Sequence, residues 1–500
     1  MDKYIIGIDQ STQGTKAILF DGSGKFLKRE DLPHEQMISE KGWVSHDPEE
    51  IYKNTVQVVK NLITASGIEK EKVAGIGISN QRETSVLWDR ETGKSLNKAI
   101  VWQCSRAESI AEEVRKAGHE EDVRLKTGIN LSPFFPASKY AWLLRNTEGA
   151  MDKAKEGKAC LGTIDSFLVF RLTHGKEFRT DYSNASRTQV FNISDLKWDE
   201  EIADWFGIPI KALPEVTPSD GDFGETDLDG FFDKPVPIRG VMGDSHAALY
   251  GQGCHKPGMV KATYGTGSSV MMNVGEKPVF SDSGIVTSLA WNIGGKTRYV
   301  LEGNIIYTGA VMSWMVHDVH LMENASEATD IMAKANQDDR TYLVPAFTGL
   351  GAPYWESNAT AMMTGMTRTT GRNEIIKAGL ECIAYQIYDI VDAMRKDSGV
   401  KMEDLRADGG PTKNHNLMQF QADIIDSDVL VPDAEELSGI GAAYCAGIAL
   451  GIYDGDKLFG NIERKSYSPA MDPEKRKEKI RGWEDAVELV LEGSKKNRKK

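Results

Sequence analysis

Apolar residues in the first half of the chain form short runs that alternate with helical patterns. Strands are predicted at residues 4–8 and 17–20, on either side of a polar turn, and a third, buried strand at residues 73–79. Between them, Asp47 suits a helix N-cap and Pro48 the first helical position, so we expect a helix that ends near residue 65. This alternation of strands and helices indicates an α/β fold.

The same order of elements starts again near the middle of the chain. Two strands with a Gly-rich turn between them are predicted within residues 259–274. The later helical patterns lie at residues 374–396, 414–425 and 438–450. We place a boundary near residues 251–258, between domains at residues 1–252 and 253–500 that share one α/β plan. A cleft between two similar lobes is the expected place for ligands.

Each of these strand pairs encloses a turn rich in glycine, threonine and serine. The turns span residues 9–16 and 263–269. Glycines let the backbone approach a phosphate, and hydroxyl and exposed N–H groups donate to it. One such turn is usually only a β-hairpin. Two of them, one at the start of each half, indicate a polyphosphate held from both sides and therefore nucleotide chemistry.

The composition of the chain excludes several classes of protein. With 500 residues, of which 27% are charged and 40% hydrophobic, the chain suits two globular domains that each bury a core. A net charge of −14 disfavours binding to nucleic acid or anionic lipid. No apolar stretch approaches the length of a membrane span, so we expect no membrane insertion. The five cysteines lie far apart without ligand spacing, and we expect reduced thiols and a cytoplasmic location.

Two aspartates follow predicted strands and suggest proton transfer and metal binding. Asp244 comes after an apolar strand and opens a helix of small residues, where a carboxylate can face a cleft and accept a proton. A helix N-cap is the alternative for this residue. Asp9 ends the first strand, and it either braces the turn or holds Mg²⁺ through water, because Mg²⁺ prefers few carboxylates together with phosphates.

Two further segments offer contacts to an organic ligand. Gly410 lies in a Gly-Gly link between a strand and a helix, where a purine plane can rest on the backbone, although such links are also common without a ligand. Arg82 and Glu83 supply donors and acceptors for hydroxyl groups, and Trp102 supplies an indole face for carbons. An ordinary salt bridge and a core tryptophan are the alternative.

Five segments look like segments of one known protein family and occur in the same order as in that family. They lie at residues 79–84, 99–104, 180–188, 345–355 and 417–421. Two further motifs cover residues 134–146, with Lys139 and Trp142, and residues 361–381, in which Gly379 is a slight departure. Together they resemble the FGGY carbohydrate kinases over nearly the whole chain, and among these most closely the glycerol kinases.

The resemblance implies two lobes of the actin/hexokinase-like, RNase H-like fold that close on MgATP and a polyol or sugar. Asp244 would be the catalytic base, and Asp9 would position Mg²⁺. The residues implied around the phosphates are Thr12, Gln13, Lys16, Gly265 and Thr266. Those implied at the adenosine are Gly309, Gly410 and Asn414. The implied substrate contacts are Arg82, Glu83, Trp102 and Asp244. The family resemblance also implies a homo-oligomer.

Three pocket positions depart from the glycerol-kinase pattern. Phe134 stands in place of a tyrosine, Ser245 in place of a glutamine, and Ser269 in place of an aromatic residue. Smaller side chains enlarge the site, and the serine hydroxyls together with His246 can bind additional oxygens. We therefore predict an ATP-dependent kinase for the terminal hydroxyl of a polyol or ketose of about four or five carbons, with glycerol as the alternative. The alternative from another class is an actin- or chaperone-like nucleotide switch.

Overall fold

Two large β-sheets, one in each half of the chain, organise the protein. The computed structural model describes residues 3–497. The strands of the first half are β1 (Tyr4–Gln10), β2 (Gly14–Phe20), β3 (Phe26–Pro33), β4 (Met37–Ile38), β5 (Val44–His46), β6 (Val73–Asn80), β7 (Ser85–Asp89), β8 (Ala99–Ile100), β9 (Ala159–Thr163), β10 (Arg179–Asp181), β11 (Phe191–Asn192), β12 (Lys197–Trp198), β13 (Glu215–Thr217), β14 (Glu225–Thr226) and β15 (Val236–Gly243). Its helices are α1 (Pro48–Ser66), α2 (Glu108–Lys116), α3 (Glu120–Thr127), α4 (Pro136–Asn146), α5 (Ala150–Lys155), α6 (Ile164–Leu172), α7 (Tyr182–Ser186), α8 (Glu200–Phe206) and α9 (Asp244–Gly251).

The second half contributes the two longest helices. Its strands are β16 (Met259–Tyr264), β17 (Ser268–Gly275), β18 (Val286–Ile293), β19 (Lys296–Ile305), β20 (Tyr342–Val344), β21 (Met362–Thr364), β22 (Asp404–Gly409), β23 (Val429–Pro432) and β24 (Arg464–Tyr467). Its helices are α10 (Gly309–Ser313), α11 (Ala328–Lys334), α12 (Arg372–Ser398), α13 (His415–Ile425), α14 (Leu437–Ala449), α15 (Gly455–Gly460) and α16 (Pro473–Asn497). The predicted helices α1, α12, α13 and α14 all form within a few residues of their expected bounds.

The central sheet of the first half has the strand order β14-β15-β6-β1-β2-β3. β1 and β2 form the predicted hairpin, in which Asp9 lies opposite Lys16. β6 runs parallel to β1, with Ser79 beside Asp9, and β15 runs parallel to β6, with Gly243 beside Asn80. The carboxyl ends of these three strands therefore meet at one edge, which is where open α/β sheets bind ligands. This edge carries Asp9, the segment after β6 and the start of α9.

The central sheet of the second half repeats the plan, with the order β18-β19-β17-β16-β22-β23-β24. β16 and β17 form an antiparallel hairpin with Tyr264 opposite Ser268. β22 runs parallel to β16, so Gly409 lies beside Tyr264. The second Gly-rich turn and the Gly-Gly link thus share one edge. The prediction of two similar α/β lobes is confirmed, and we call them the first and second lobes.

Helix α14 comes from the second half of the chain but packs against the first-lobe sheet and helix α9. Glycines bring the backbones together here. A Cβ atom on Gly441 would lie 1.8 Å from the carbonyl oxygen of Ala247, and one on Gly77 would lie 2.2 Å from that of Ala442. We call this contact the glycine seam. The domain boundary near residue 252 stays a prediction, and in space α14 completes the first lobe.

Apolar side chains bury both sheets. In the first lobe Ile51, Val59 and Leu62 of α1 pack against the central strands, and in the second lobe the rings of Tyr385 and Trp483 stack at 5.1 Å inside the core. All five cysteines are buried and free. Within residues 3–497, no helix combines the length and apolar character needed to cross a bilayer.

The close backbone contact at the glycine seam predicts that an added methyl group there destabilises the protein. Gly441→Ala places a methyl group against backbone atoms that cannot move aside, so we expect it to lower the free energy of unfolding by at least about 1–3 kcal/mol, the cost of overpacking. Gly493→Ala is the matched control, because it lies in helix α16 with no atom within 4 Å of an added Cβ. There alanine is favoured over glycine by up to about 1 kcal/mol.

Urea unfolding followed by circular dichroism measures both variants. Equal unfolding free energies for Gly441→Ala and the wild type would contradict the close backbone contact between α14 and α9.

Candidate active site

A cavity of about 760 Å³ lies between the lobes, where the carboxyl ends of their central strands face each other. Thr12 lines it from the first turn, and Gly265, Thr266 and Gly267 line it from the second. We call it the cleft cavity. All seven residues assigned to the substrate line it as well: Arg82, Glu83, Trp102, Phe134, Asp244, Ser245 and Ser269. The structure therefore brings the two turns and the candidate substrate residues into one space.

The second turn is held rigidly by the start of α10. Gly309 N donates to Gly265 O at 2.9 Å, and Ala310 N donates to Thr266 O at 3.0 Å. A Cβ atom on Gly267 would lie 2.3 Å from the carbonyl oxygen of Ile305, so only glycine fits at this position. The turn thus presents a fixed, close backbone surface to the cavity, as a phosphate site requires.

The first turn is held by contacts to its own residues and to an aromatic ring. Ser11 N donates to Gly14 O at 2.8 Å, and the indole Nε1 of Trp102 donates to Thr12 Oγ1 at 3.0 Å. Gln13 is exposed, and Lys16 pairs with Glu436 at 2.8 Å. Neither Gln13 nor Lys16 lines the cleft cavity. Thr12 is therefore placed for a ligand, whereas phosphate contacts from the other two residues stay a prediction.

Asp9 is buried at the base of the first turn. Ser79 Oγ donates to its Oδ1 at 3.0 Å. Burial raises the pKa of the Asp9 carboxyl to about 6; nearby Lys16 opposes this rise, and Asp244 adds to it. A carboxylate that is costly to ionise alone, and whose charge is repelled by a second carboxylate, is well suited to a divalent cation. The predicted Mg²⁺ role of Asp9 fits this environment.

Asp244 is the first residue of helix α9 and faces the cleft cavity, with about one third of its side chain exposed. Gly243 occupies the N-cap position, which argues against the alternative that Asp244 caps the helix. Its Oδ1 lies 3.1 Å from Arg82 Nε and accepts from Ser245 N at 2.6 Å. These contacts hold the carboxylate through its Oδ1.

Below Asp244 lies a buried ion network that joins the lobes. The guanidinium of Arg82 donates through both Nη atoms to Glu302 of β19, at 2.9 Å each. Arg187 pairs with Glu302 at 2.9 Å and with Glu83 at 2.6 Å. Burial opposes the ionisation of Glu302, but Arg187 and Arg82 outweigh it and hold the pKa of this carboxyl well below its usual range. We call Arg82, Glu83, Arg187 and Glu302 the ion network.

Two aromatic rings form the apolar wall of the substrate end. The centroids of Trp102 and Phe134 are 5.4 Å apart. Lys139 is fully buried and donates to the backbone carbonyls of Pro133, at 2.7 Å, and Phe134. Lys139 thereby fixes the turn that carries the Phe134 ring. The wall suits the carbon side of a polyol, opposite the charged groups of Arg82 and Glu83.

One expectation about this pocket is wrong. His246 does not offer its ring to a substrate, because it is fully buried and does not line the cleft cavity. Its Nε2 lies 3.2 Å from Ser288 Oγ instead. Ser245 and Ser269 do line the cavity, so the extra oxygen contacts expected there rest on these two residues.

The residues assigned to adenosine line a neighbouring cavity of about 690 Å³: Gly309, Gly410 and Asn414. Asn414 Oδ1 accepts from Asn416 N and Leu417 N at the start of α13, which leaves its amide Nδ2 without a partner. A third cavity, of about 950 Å³, shares Gly265 with the cleft cavity and Gly410 with the adenosine cavity. The three spaces form one path along the cleft.

Comparison with known proteins agrees with this geometry. Residues 4–251 match the FGGY family of carbohydrate kinases, N-terminal domain, and residues 260–450 match its C-terminal domain. The chain belongs to the FGGY family of carbohydrate kinases. It is thus an ATP-dependent kinase with an alcohol group as acceptor.

Individual relatives of this FGGY kinase align over nearly their full length. The glycerol kinase of Caldanaerobacter subterraneus subsp. tengcongensis is 45% identical, and glycerol kinase 1 of Thermotoga maritima is 46% identical; each alignment covers 98% of this chain and 99% of the relative. The crystal structure of Plasmodium falciparum glycerol kinase with ADP superposes with a TM-score of 0.93 at 38% identity, over 98% of both chains. The fold is therefore the two-lobed, actin/hexokinase-like fold of sugar kinases.

Three charged residues of this FGGY kinase were missed by the sequence analysis. Glu302 and Arg187 belong to the ion network, and Lys261 lines the cleft cavity from β16. Glu302 and Lys261 lie within the buried strands β19 and β16, and Arg187 directly follows the short helix α7. A charged residue inside an otherwise apolar strand is the signal that identifies such positions, because burial demands a partner or a ligand.

The ion network predicts a linked loss of stability and activity. Glu302→Gln keeps the shape but leaves two buried guanidinium groups without their shared carboxylate, so we expect the free energy of unfolding to fall by about 3–5 kcal/mol. Because Arg82 then no longer holds Asp244, we expect kcat to fall about 10–100-fold. Glu276→Gln is the control, since Glu276 pairs with Arg298 at the surface and should leave both quantities nearly unchanged.

Urea unfolding and steady-state kinetics of the three proteins measure these effects. Wild-type stability in Glu302→Gln would show that the network does not join the lobes.

Proposed function

We propose that this FGGY kinase transfers the γ-phosphoryl group of ATP to a terminal hydroxyl of a small polyol, with glycerol as the first candidate. One observation carries the proposal: Asp244 lines the same cavity as both glycine-rich turns. Glycerol is chosen because relatives named glycerol kinase share 45% and 46% identity over nearly the whole chain. Arg82 and Glu83 supply a polar face for it, and Trp102 and Phe134 an apolar face.

Asp244 acts as the base in this proposal. The alcohol oxygen forms a bond to the γ-phosphorus, the bond to the β–γ bridging oxygen breaks, and the alcohol proton passes to Oδ2. Phosphoryl transfer has a loose transition state with charge on the phosphate oxygens, so the turns contribute by alignment and by N–H donors. Closure of the lobes excludes water, which limits transfer of the phosphoryl group to water.

We further propose that Mg²⁺ is held at Asp9 through water and by the phosphates. When bound, the ion neutralises charge on the β- and γ-phosphates. Asp9 supplies a buried carboxylate whose charge is repelled by that of Asp244, and a cation held there would offset this repulsion. The cytoplasmic location and the homo-oligomer remain proposals from the sequence.

A longer polyol or ketose is the second candidate substrate. Ser245 and Ser269 line the cleft cavity with small side chains, and Phe134 presents no hydroxyl. This leaves room and two hydroxyl donors for a chain of about four or five carbons. A nucleotide switch receives no support, since Arg82, Glu83 and Trp102 converge on a pocket for a small polar molecule.

An ADP-release assay across glycerol, erythritol, xylulose, ribulose and related polyols tests the proposal. We expect ADP release that depends on the polyol, with the highest kcat/KM for glycerol. A higher value for a four- or five-carbon compound would replace glycerol with the second candidate, and ADP release without any dependence on a polyol would refute the acceptor class.

Asp244→Asn is the matched variant for the assigned base. It keeps the size and one hydrogen-bond acceptor but cannot take the proton, so kcat should fall about 10²–10⁴-fold while ADP binding is retained. Substantial turnover by a folded Asp244→Asn protein would contradict the role of Asp244.

Removal of the Asp9 carboxylate tests the metal site. We expect Asp9→Asn to raise the half-saturating Mg²⁺ concentration about 10–100-fold, the range for loss of a ligand-supporting group. Chelation of Mg²⁺ should abolish turnover of the wild type. Asp165→Asn, a buried carboxyl group of the same lobe that bonds Thr163 and Thr180, should leave the Mg²⁺ requirement unchanged. An unchanged Mg²⁺ requirement in Asp9→Asn would remove Asp9 from the metal site.

A further inference from the structure

Lys261 is a buried lysine that the mechanism above does not use. It lies on β16, two residues before Thr263, and only 1% of its surface is exposed. Its neighbours Val260 and Ala262 point into the core of the second lobe. Because side chains alternate along a strand, Lys261 points the other way, and it lines the cleft cavity. The strand that carries it leads directly into the second glycine-rich turn.

The ammonium group of Lys261 has no bonded partner. In the part of the chain that the structure describes, no carboxylate oxygen lies within 4.0 Å of its Nζ and no acceptor forms a hydrogen bond with it. The charges that act on it belong to Asp408, Arg82, Glu302 and Asp244. Burial lowers the pKa of Lys261, although Asp408 opposes this shift.

The nearby carboxylates are already engaged with other groups. Glu302 and Asp244 bind Arg82. Asp408 accepts from Gln252 Nε2 at 3.0 Å and from Thr263 Oγ1 at 3.2 Å. Lys261 therefore has no direct ion pair, and Asp408 attracts its charge only from a distance.

Other buried lysines of the described chain do have close partners. Lys139 binds two backbone carbonyls, and Lys377 pairs with Glu381 at 3.0 Å. Lys479 also pairs with Glu381, at 3.6 Å. A buried and unpaired ammonium group is costly to the fold, so its retention beside a cavity indicates an anionic ligand.

We propose that Lys261 is a further catalytic residue, whose ammonium group contacts the transferred γ-phosphoryl group. The position supports this, because Lys261 lines the same cavity as Asp244, Gly265 and Thr266. As the γ-phosphorus moves from the bridging oxygen of ADP to the alcohol oxygen, Lys261 stays protonated and neutralises the oxygens in transit. The inference rests on the proposed site of transfer between the two turns.

Measurements of nucleotide affinity distinguish a catalytic role of Lys261 from a structural one. In wild-type protein with Mg²⁺, calorimetry gives the affinities for ADP and for the β,γ-imido analogue of ATP, which differ in the γ-phosphate. We expect Lys261→Gln to weaken the binding of the analogue at least about tenfold and that of ADP less than about twofold. Only the γ-phosphate loses its charged partner. We expect kcat to fall about 10²–10³-fold, with little change in the KM for the polyol.

Lys377→Gln is the matched control, since it removes a lysine of equal burial from the same lobe away from the cleft. It should lower stability but keep the wild-type ratio of the two nucleotide affinities. If Lys261→Gln keeps the wild-type ratio of the two affinities, whether or not both affinities fall, the proposal is overturned.

Lys261→Met keeps the test valid if the glutamine variant folds poorly. Removal of an unpaired buried charge should leave the melting temperature of the unliganded protein at or above that of the wild type. A clearly lower melting temperature would show that Lys261 supports the fold and would overturn its assignment to the ligand. A wild-type protein without polyol-dependent ADP release would instead refute the acceptor class, while normal turnover in Lys261→Gln refutes only the role of Lys261.

Discussion

The bidentate pair between Arg82 and Glu302 is the interaction on which the active site depends. It crosses from the first lobe to the second, and it is buried, so neither charge is tolerated without the other. Arg82 also holds Asp244, and Glu302 is in turn held by Arg187. The orientation of Asp244, the proposed base, is therefore a property of the assembled lobes. A rearrangement at this interface alters catalysis without any contact to the substrate.

Both lobes position their polar cleft residues by the same arrangement of strands and loops. A hairpin and one or more parallel strands end at a common edge, and the loops beyond that edge carry the polar residues. The scaffold is buried and rigid, while the groups that meet ligands sit just outside it. Two copies of this arrangement, facing each other, produce a cleft lined by a glycine-rich turn from each lobe.

Much of this arrangement follows from local signals in the sequence. The caps and periodicity of α1 and α12 identify those helices, and the glycine-rich turns identify the faces of the cleft. Glu302 and Arg187 could not be found in this way, because their partners are distant in sequence; Arg82 and Glu302 are 220 residues apart. Lys261 could not be found because the cavity that it lines is formed by both lobes. His246 shows the opposite error. It follows Asp244 by two residues, and two residues along a helix turn by about 200°, so it points away from the cleft.

The glycine seam has a consequence for how the protein is made. Helix α14 covers the first-lobe sheet, yet it is encoded after nearly nine-tenths of the chain. During synthesis from the N-terminus, the sheet face that includes Gly7 and Gly77 has no permanent cover until residues 437–449 have left the ribosome. The first lobe therefore cannot complete its core until α14 has been synthesised. Until then the uncovered sheet face is the natural binding surface for a chaperone.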